Sequence, residues 1–192
     1  GVDIKGARLW KGAKYAEEHS LDNVAFLRTR IEFIESLFAP GEVSEIWITF
    51  ADPQIGREKK RLTAPLFMSR YRNFLKPGGI IHLKTDSRYL HEYSRAMAEQ
   101  NGLHILAAAT DIYGADRERL YESEFSSICG SAAVDALFEV QTFYESQYLA
   151  QGFQITYLAF MPDHEGDYIS PEWSEDTWKD ENHHFVVPSG LP

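Results

Sequence analysis

Three aspartates in this sequence each close a short apolar run that is typical of a buried β-strand. Asp3 ends "GVD", Asp52 follows "EIWITFA", and Asp86 ends "IIHLKTD". A carboxylate accepts hydrogen bonds, so an acid at a strand end can bind ribose hydroxyls or the N–H groups of a base. One such aspartate is more often a turn former or a helix N-cap. Three of them, each at the end of a predicted strand, favour a binding site.

A basic cluster directly follows the second of these aspartates. Its members are Arg57, Lys59, Lys60 and Arg61. The chain as a whole is acidic, with a formal net charge of -10, and this disfavours broad non-specific binding to phosphate backbones. A charge run is usually a solvated loop, here with Arg61 packed against the sheet edge. Its position beside Asp52 favours a local site for RNA phosphates instead.

Strands and helices alternate along the chain and position these residues. The periodicity predicts strands ending at Asp3 and over residues 23–27, 44–50, 80–86 and 103–111, and helices over 7–19, 30–38, 63–75 and 87–102, the third capped by Thr63. Residues 112–139 are expected to be helical with a mobile portion. This order predicts an α/β domain with a doubly wound, mostly parallel sheet, in which ligands bind beyond the carboxyl ends of the strands.

The beginning of the chain lacks the glycine-rich turn of a nucleotide-binding fold. Gly1 already lies in what reads as the second strand, and no G-x-G-x-x-G precedes it. We therefore expect a Rossmann-like fold that is incomplete at its N-terminus, with the first strand and helix upstream of Gly1.

Composition limits the remaining possibilities. The 192 residues, 44% of them hydrophobic, are sufficient for one core. A single cysteine, Cys129, predicts a reducing compartment and hence the cytoplasm. No apolar run reaches the roughly 20 residues that span a bilayer, and no signal-peptide pattern is found, so we expect no membrane association.

The histidines and the cysteine show no spacing typical of a metal site or a nucleophile. His82, His91, His183 and His184 are interpreted as structural or exposed, and Cys129 as buried or incidental. We expect no metal. Three aromatic residues, Phe143, Tyr144 and Tyr148, can stack on a base, although helical spacing is more typical of a core.

The order of the motifs resembles one known family. The chain carries "TFADP", "GREKKRL", "LFMSRYRNFLKPGG" and "LKTD", followed by "TFYESQYLAQGFQITYLAF". This series is similar to the bacterial tRNA (guanine-N7)-methyltransferase family (TrmB) over most of residues 1–160. The resemblance implies a Rossmann-like fold dependent on S-adenosylmethionine. It also implies methyl transfer to N7 of a guanine in tRNA, at position 46 of the variable loop.

The resemblance also implies roles for individual residues. Asp3 matches the acid that holds the ribose of S-adenosylmethionine, and Asp52 matches the catalytic acid placed beside both methyl donor and guanine. Asp86, Thr142 and Glu145 match residues that bind the substrate. The basic loop, Arg57 to Arg61, is expected to hold tRNA phosphates.

Three positions depart from the family pattern. Ala51 replaces the usual proline, Gln54 stands where an aromatic residue is common, and Arg30 occupies the place of an acid near the adenine. Because a guanidinium cannot accept a hydrogen bond, backbone groups of Arg30 and Ile31 are expected to serve the adenine instead.

Two alternatives to this function stay open at the level of sequence. One is a small-molecule methyltransferase or another nucleotide-binding enzyme on the same fold, and the other is a non-catalytic RNA-binding module. We expect a methyltransferase domain over residues 1–160 in a monomer or homodimer. Residues 161–192, with Trp173 and Trp178, are expected to form an extension that packs on that domain.

Overall fold

The structure is a computed structural model that describes residues 1–174, and Trp178, His183 and His184 lie outside these residues. The strands are β1 (Val2–Asp3), β2 (Leu27–Arg28), β3 (Val43–Thr49), β4 (Leu75–Thr85), β5 (His104–Ala109) and β6 (Thr156–Met161). The helices are α1 (Gly6–Glu18), α2 (Pro65–Arg72), α3 (Arg88–Gln100), α4 (Arg117–Tyr121), α5 (Glu124–Cys129), α6 (Ser131–Glu139) and α7 (Phe143–Ala150).

The strands form two sheets. Strands β1 and β2 pair in parallel, with Asp3 opposite Arg28, while the other four lie in the order β3-β4-β6-β5. Strand β3 is parallel to β4, and β6 runs antiparallel to both β4 and β5. In the larger sheet β6 is therefore the single reversed strand. This arrangement confirms the predicted α/β, Rossmann-like class.

Two hydrophobic clusters cover opposite faces of the larger sheet. Successive residues of β4 point to opposite faces and so contribute to different clusters. Ile81 and Leu83 belong to the cluster under α2 and α3, while Ile80 belongs to the cluster under α4 to α6. Helix α3 is strongly one-sided and buries Tyr89, Tyr93 and other residues on the sheet. This packing fixes the carboxyl ends of β3 and β4 relative to α3.

Local structure differs from expectation at four places. The strand expected over residues 23–27 is reduced to β2, Leu27–Arg28. Residues Ile31–Ser36 form a 3₁₀ helix rather than an α-helix, and Ile34 is the one residue that they bury fully. Helix α2 begins after Ala64 without a side-chain cap, and the buried Thr63 hydroxyl instead accepts a hydrogen bond from Ser94 Oγ at 2.7 Å. Residues 76–79, "KPGG", which the prediction leaves between a helix and a strand, lie inside β4, where the register shifts and Gly78 adopts a φ of +72°.

The described part of the C-terminal segment lies against the domain. Asn101 Nδ2 donates to Ile169 O, and Ile169 N donates to Asn101 Oδ1, each at 2.8 Å. Tyr168 and Trp173 pack on the core cluster that contains α3. The boundary between domain and extension at residue 160 remains a prediction.

Two structural absences hold for residues 1–174. In this part of the chain no helix is long and apolar enough to cross a bilayer. Within the same residues, no three His, Cys, Asp or Glu side chains come together as ligands for a metal ion. Cys129 is half-buried, and burial raises the pKa of its thiol, which disfavours the reactive thiolate.

Two buried histidines make stability sensitive to mild acid. Burial lowers the pKa of His82 and of His91 to about 4, whereas an unfolded histidine titrates near 6.5. Between these values the unfolded chain binds more protons, so the free energy of unfolding is highest above pH 6.5 and falls as the pH decreases. Each histidine contributes up to about 1.4 kcal/mol per pH unit, which urea denaturation at pH 7 and pH 5 will measure.

The variant His91→Met is expected to lose close to half of this pH dependence. Neither ring nitrogen of His91 has a hydrogen-bond partner among the described residues, so methionine removes a proton-binding group without breaking a hydrogen bond. His104→Gln is the matched control, because the His104 side chain is more than half exposed. If His91→Met leaves the slope of the unfolding free energy against pH unchanged, His91 is not a source of the acid sensitivity.

Candidate active site

The carboxyl ends of β3 and β4 bring two of the three predicted aspartates to one edge of the sheet. The strands are parallel, with Thr49 opposite Lys84, and Phe50 N donates to Lys84 O at 2.9 Å. Asp52 follows β3 and Asp86 follows β4, each within three residues of the paired Thr49 and Lys84. Their juxtaposition follows the general rule for ligand sites in open α/β sheets.

Asp52 presents its carboxylate at the surface on a tightly held loop. Its side chain is exposed, and its Oδ1 accepts a hydrogen bond of 2.8 Å from Gln54 N. Two residues that flank it, Phe50 and Gln54, have positive φ angles of 49° and 51°. Non-glycine residues adopt such angles at a cost and are enriched at functional sites. The carboxylate is therefore pre-oriented before any ligand binds.

The basic cluster divides into exposed and buried members. Arg57, Lys59 and Lys60 are exposed around a short 3₁₀ helix, Glu58–Lys60. Arg61 is fully buried, and its guanidinium donates to Pro53 O and Gln54 O at 2.9 and 3.1 Å. Three cations thus remain available to phosphates. The predicted phosphate contact of Arg61 does not fit this burial, and Arg61 instead holds the loop that carries Asp52.

Helix α7 connects the strand ends to one another. The Tyr148 ring stacks on Phe50 with centroids 6.1 Å apart, and burial together with the charge of Asp86 raises the pKa of Tyr148. One turn earlier, Tyr144 OH accepts a hydrogen bond of 3.0 Å from Arg8 Nη2. Arg8 Nη1 lies 3.5 Å from Asp3 Oδ2, so α7 also connects to the end of β1.

Thr142 and Glu145 form the beginning of α7. The Thr142 hydroxyl accepts from Glu145 N, and Glu145 Oε2 accepts from Thr142 N, which is a complete capping box. Glu145 is fully buried, and its Oε1 lies 2.6 Å from Lys84 Nζ. Tyr113 OH also donates to Glu145 Oε1 at 2.7 Å. In this arrangement Glu145 faces β4 rather than solvent, whereas Thr142 is half-buried at the helix end.

The residues predicted to bind the cofactor fit S-adenosylmethionine in part. Asp3 Oδ1 accepts from Lys5 N at 2.9 Å, and the carboxylate still has acceptor capacity for ribose hydroxyls. Arg30 is exposed and pairs with Glu32 Oε1 at 3.3 Å, so its side chain offers donors only. Hydrogen bonds from its own backbone and from Arg30 lower the pKa of Glu32. Glu32, two residues after Arg30, therefore places a carboxylate next to the main chain of Ile31.

Several residues that shape the site escaped the sequence analysis. Lys84 received no prediction, although a lysine on a buried strand two positions before Asp86 is itself a signal of a buried ion pair. Arg8 and Tyr113 gave no comparable signal, because their partners on α7 are more than 30 residues away along the chain.

The chain matches a family model described as "Putative methyltransferase" over residues 1–123. It is 45% identical over 171 residues to the tRNA (guanine-N(7)-)-methyltransferase of Bacteroides fragilis, covering 89% of this chain and 62% of that protein. It is 51% identical over 164 residues to the enzyme of the same name from Christiangramia forsetii, covering 83% of this chain and 66% of that protein. The chain therefore spans less than two thirds of the length of these relatives.

Among solved structures, a geranyl diphosphate methyltransferase in complex with SAM is 17% identical and has a TM-score of 0.46, over 88% of this chain and 68% of that one. A likeness of this size supports no conclusion about activity. The family match and the two relatives described above do support a conclusion about the family to which the chain belongs. This chain belongs to the methyltransferase family that includes the bacterial tRNA (guanine-N7)-methyltransferases.

Proposed function

We propose that the protein transfers the methyl group of S-adenosylmethionine to N7 of a guanine in tRNA, at position 46 of the variable loop. The observation that carries the proposal is the exposed, pre-oriented carboxylate of Asp52 at the end of β3, followed directly by three exposed cations. The names of the relatives support the same reaction. The cytoplasm is the proposed location, because the proposed substrate is tRNA.

The cofactor is proposed to lie beyond the ends of β1, β2 and β3. Asp3 accepts hydrogen bonds from its ribose hydroxyls, and the main chain at Arg30 and Ile31 contacts its adenine, assisted by the Glu32 carboxylate. Asp52 lies at the end that carries the methyl group. When bound, S-adenosylmethionine supplies an electrophilic methyl group on a positively charged sulfur.

Asp52 is proposed to orient the guanine and to stabilise its charge. Guanine N7 already carries a free lone pair, so the nucleophile needs no base to generate it. The Asp52 carboxylate accepts hydrogen bonds from N1–H and N2–H of the guanine, which directs N7 away from it and toward the methyl group. The product guanine is positively charged, and a nearby carboxylate favours that charge as it develops. Complete alignment of two reacting groups, here N7 and the methyl group, can lower the activation free energy by about 7–11 kcal/mol.

Substrate binding is proposed to use residues beyond Asp52. Arg57, Lys59 and Lys60 contact phosphates near the guanine, while Asp86, which follows β4, and Thr142, at the beginning of α7, contact the substrate from these two elements. The contribution proposed for Glu145 is indirect, because its carboxylate is buried against Lys84. The acidic remainder of the surface opposes RNA that docks elsewhere.

Replacing the three exposed cations by alanine together is expected to weaken tRNA binding and flatten its salt dependence. Removing one phosphate-binding cation reduces the slope of log K against log salt by about 0.7–0.9. Filter binding of tRNA at several salt concentrations will measure this slope. A triple variant at Lys11, Lys14 and Lys76, all exposed and outside the loop, changes the net charge equally and serves as the control. Equal slopes for the two variants will exclude the loop as the phosphate site.

The experiment that tests the proposed reaction is methyl transfer from labelled S-adenosylmethionine to bulk tRNA. It compares the present chain with one that is extended upstream to supply the expected strand and glycine-rich turn. Digestion of the labelled tRNA to nucleosides identifies N7-methylguanine, and sequencing of the product locates the modified position.

The outcomes distinguish the proposal from its alternatives. N7-methylguanine in tRNA supports the proposal. Cofactor binding without label in any tRNA will contradict it and indicate a small-molecule acceptor. RNA binding without cofactor binding will indicate a non-catalytic module. Sedimentation of the same samples will separate monomer from homodimer, which the proposal leaves open.

A further inference from the structure

The buried guanidinium of Arg61 lies in a compact aromatic environment. Its Cζ is 3.9 Å from the ring centroid of Tyr93 and 4.8 Å from that of Tyr89, and its Nη2 donates to Tyr89 OH. Tyr93 OH donates to Glu58 Oε1 at 2.5 Å. Both tyrosines lie on α3, so Arg61 connects this helix to the loop that follows β3.

The same guanidinium fixes the conformation of the Asp52 loop. Arg61 donates to the carbonyls of Pro53 and Gln54, and Gln54 N donates in turn to Asp52 Oδ1. Gln54 has a φ of +51°, a conformation that a non-glycine residue keeps only when its surroundings enforce it. Arg61 thus holds the strained residue whose N–H orients the Asp52 carboxylate.

Trp173 covers this arrangement from the C-terminal segment. Its ring meets those of Tyr89 and Tyr93 edge-on, with centroid distances of 5.8 Å and interplanar angles of 69° and 90°. The segment is held in place at several points before it reaches Trp173. Arg72 Nη1 donates to His164 O at 3.0 Å and to Gly166 O at 2.6 Å, and Ile169 exchanges two hydrogen bonds with Asn101.

We propose that Trp173 is a positioning residue for Asp52, which acts through the two tyrosines and Arg61. A cation–π contact weakens when water reaches the ring or the cation. By packing on both tyrosines, Trp173 keeps water from the rings that hold Arg61. Loss of Trp173 loosens Arg61, then Gln54, and finally the orientation of Asp52. The catalytic part of this inference rests on the proposed function.

The variant Trp173→Ala in the full chain tests the proposal by two independent measurements. Amide hydrogen exchange is expected to become about tenfold faster in peptides that cover residues 53–61, and to stay unchanged in β4 and β6. In methyl transfer to tRNA, kcat is expected to fall about tenfold. The KM for S-adenosylmethionine is expected to stay within twofold, because the contacts proposed for its ribose and adenine come from Asp3, Arg30 and Ile31 and not from residues 53–61. Trp173→Phe retains an aromatic edge and is expected to restore both properties.

Ile169→Ala is the matched control, because this side chain is more than half exposed and the anchoring contacts of Ile169 use its main chain. Unchanged exchange over residues 53–61 in Trp173→Ala will overturn the proposal. So will faster exchange throughout the protein with no rescue by phenylalanine, since this pattern indicates a general role in stability. Hydrogen exchange needs no substrate, so it decides the structural link even if the wild-type protein fails to methylate tRNA.

Discussion

The variant Asp52→Ala is expected to reduce kcat/KM for tRNA methylation by about 10²–10³-fold, with almost no loss of stability. The kinetic effect is large because the carboxylate both orients the guanine and opposes the positive charge that the base acquires. The effect on stability is small because the side chain is exposed and the Gln54 N–H that it leaves can bind water. Initial rates with labelled cofactor, together with urea denaturation of the same samples, will measure both quantities.

Two further variants separate charge from geometry in this prediction. Asp52→Asn keeps an acceptor for Gln54 N but loses the negative charge, so its activity is expected to lie near that of the alanine variant. Asp22→Ala removes an exposed acid between α1 and β2 and is expected to leave the rate unchanged. If Asp52→Ala retains more than a third of the wild-type rate, Asp52 does not carry the proposed role.

The sequence predicted the main features of the site because they depend on short-range patterns. Apolar runs that end in aspartate gave the strands and the positions of Asp52 and Asp86, and the alternation of elements gave the α/β class. These signals are local, since a strand end and its turn residues are adjacent in the chain. The exposed members of the basic loop follow from the same short segment.

The contacts that hold the site were less accessible to sequence reasoning. Arg61 was assigned to phosphates with its exposed neighbours, because charge alone does not distinguish this role from the alternative in which Arg61 packs against the sheet edge. Its tyrosine partners lie about 30 residues further along the chain, on α3. The periodicity made no prediction for β6, and its antiparallel direction was not accessible either, because an apolar run does not specify the direction in which a strand pairs. Both features are decided by tertiary packing rather than by local propensity.

Lys84→Met is expected to lower the free energy of unfolding by about 3–5 kcal/mol. The substitution leaves the Glu145 carboxylate buried without its cation, at a position with no access to solvent. It also removes the Nζ donor of two hydrogen bonds at the C-terminal end of α6, to Leu137 O at 2.5 Å and to Val140 O at 3.3 Å. Urea denaturation at neutral pH will measure the loss, and Lys76→Ala, an exposed lysine at the other end of β4, is the control.

The double variant Lys84→Met with Glu145→Gln distinguishes a supporting Glu145 from one that contacts the substrate. A neutral glutamine can still bond to Tyr113 OH and to the main chain of Thr142, so most of the lost stability is expected to return. If Glu145 acts only by holding α7 against β4, methyl transfer recovers along with stability. If Glu145 contacts the guanine directly, the double variant folds normally but stays inactive. The buried geometry of the ion pair favours recovery, because direct contact requires the carboxylate to leave Lys84 and turn toward the surface.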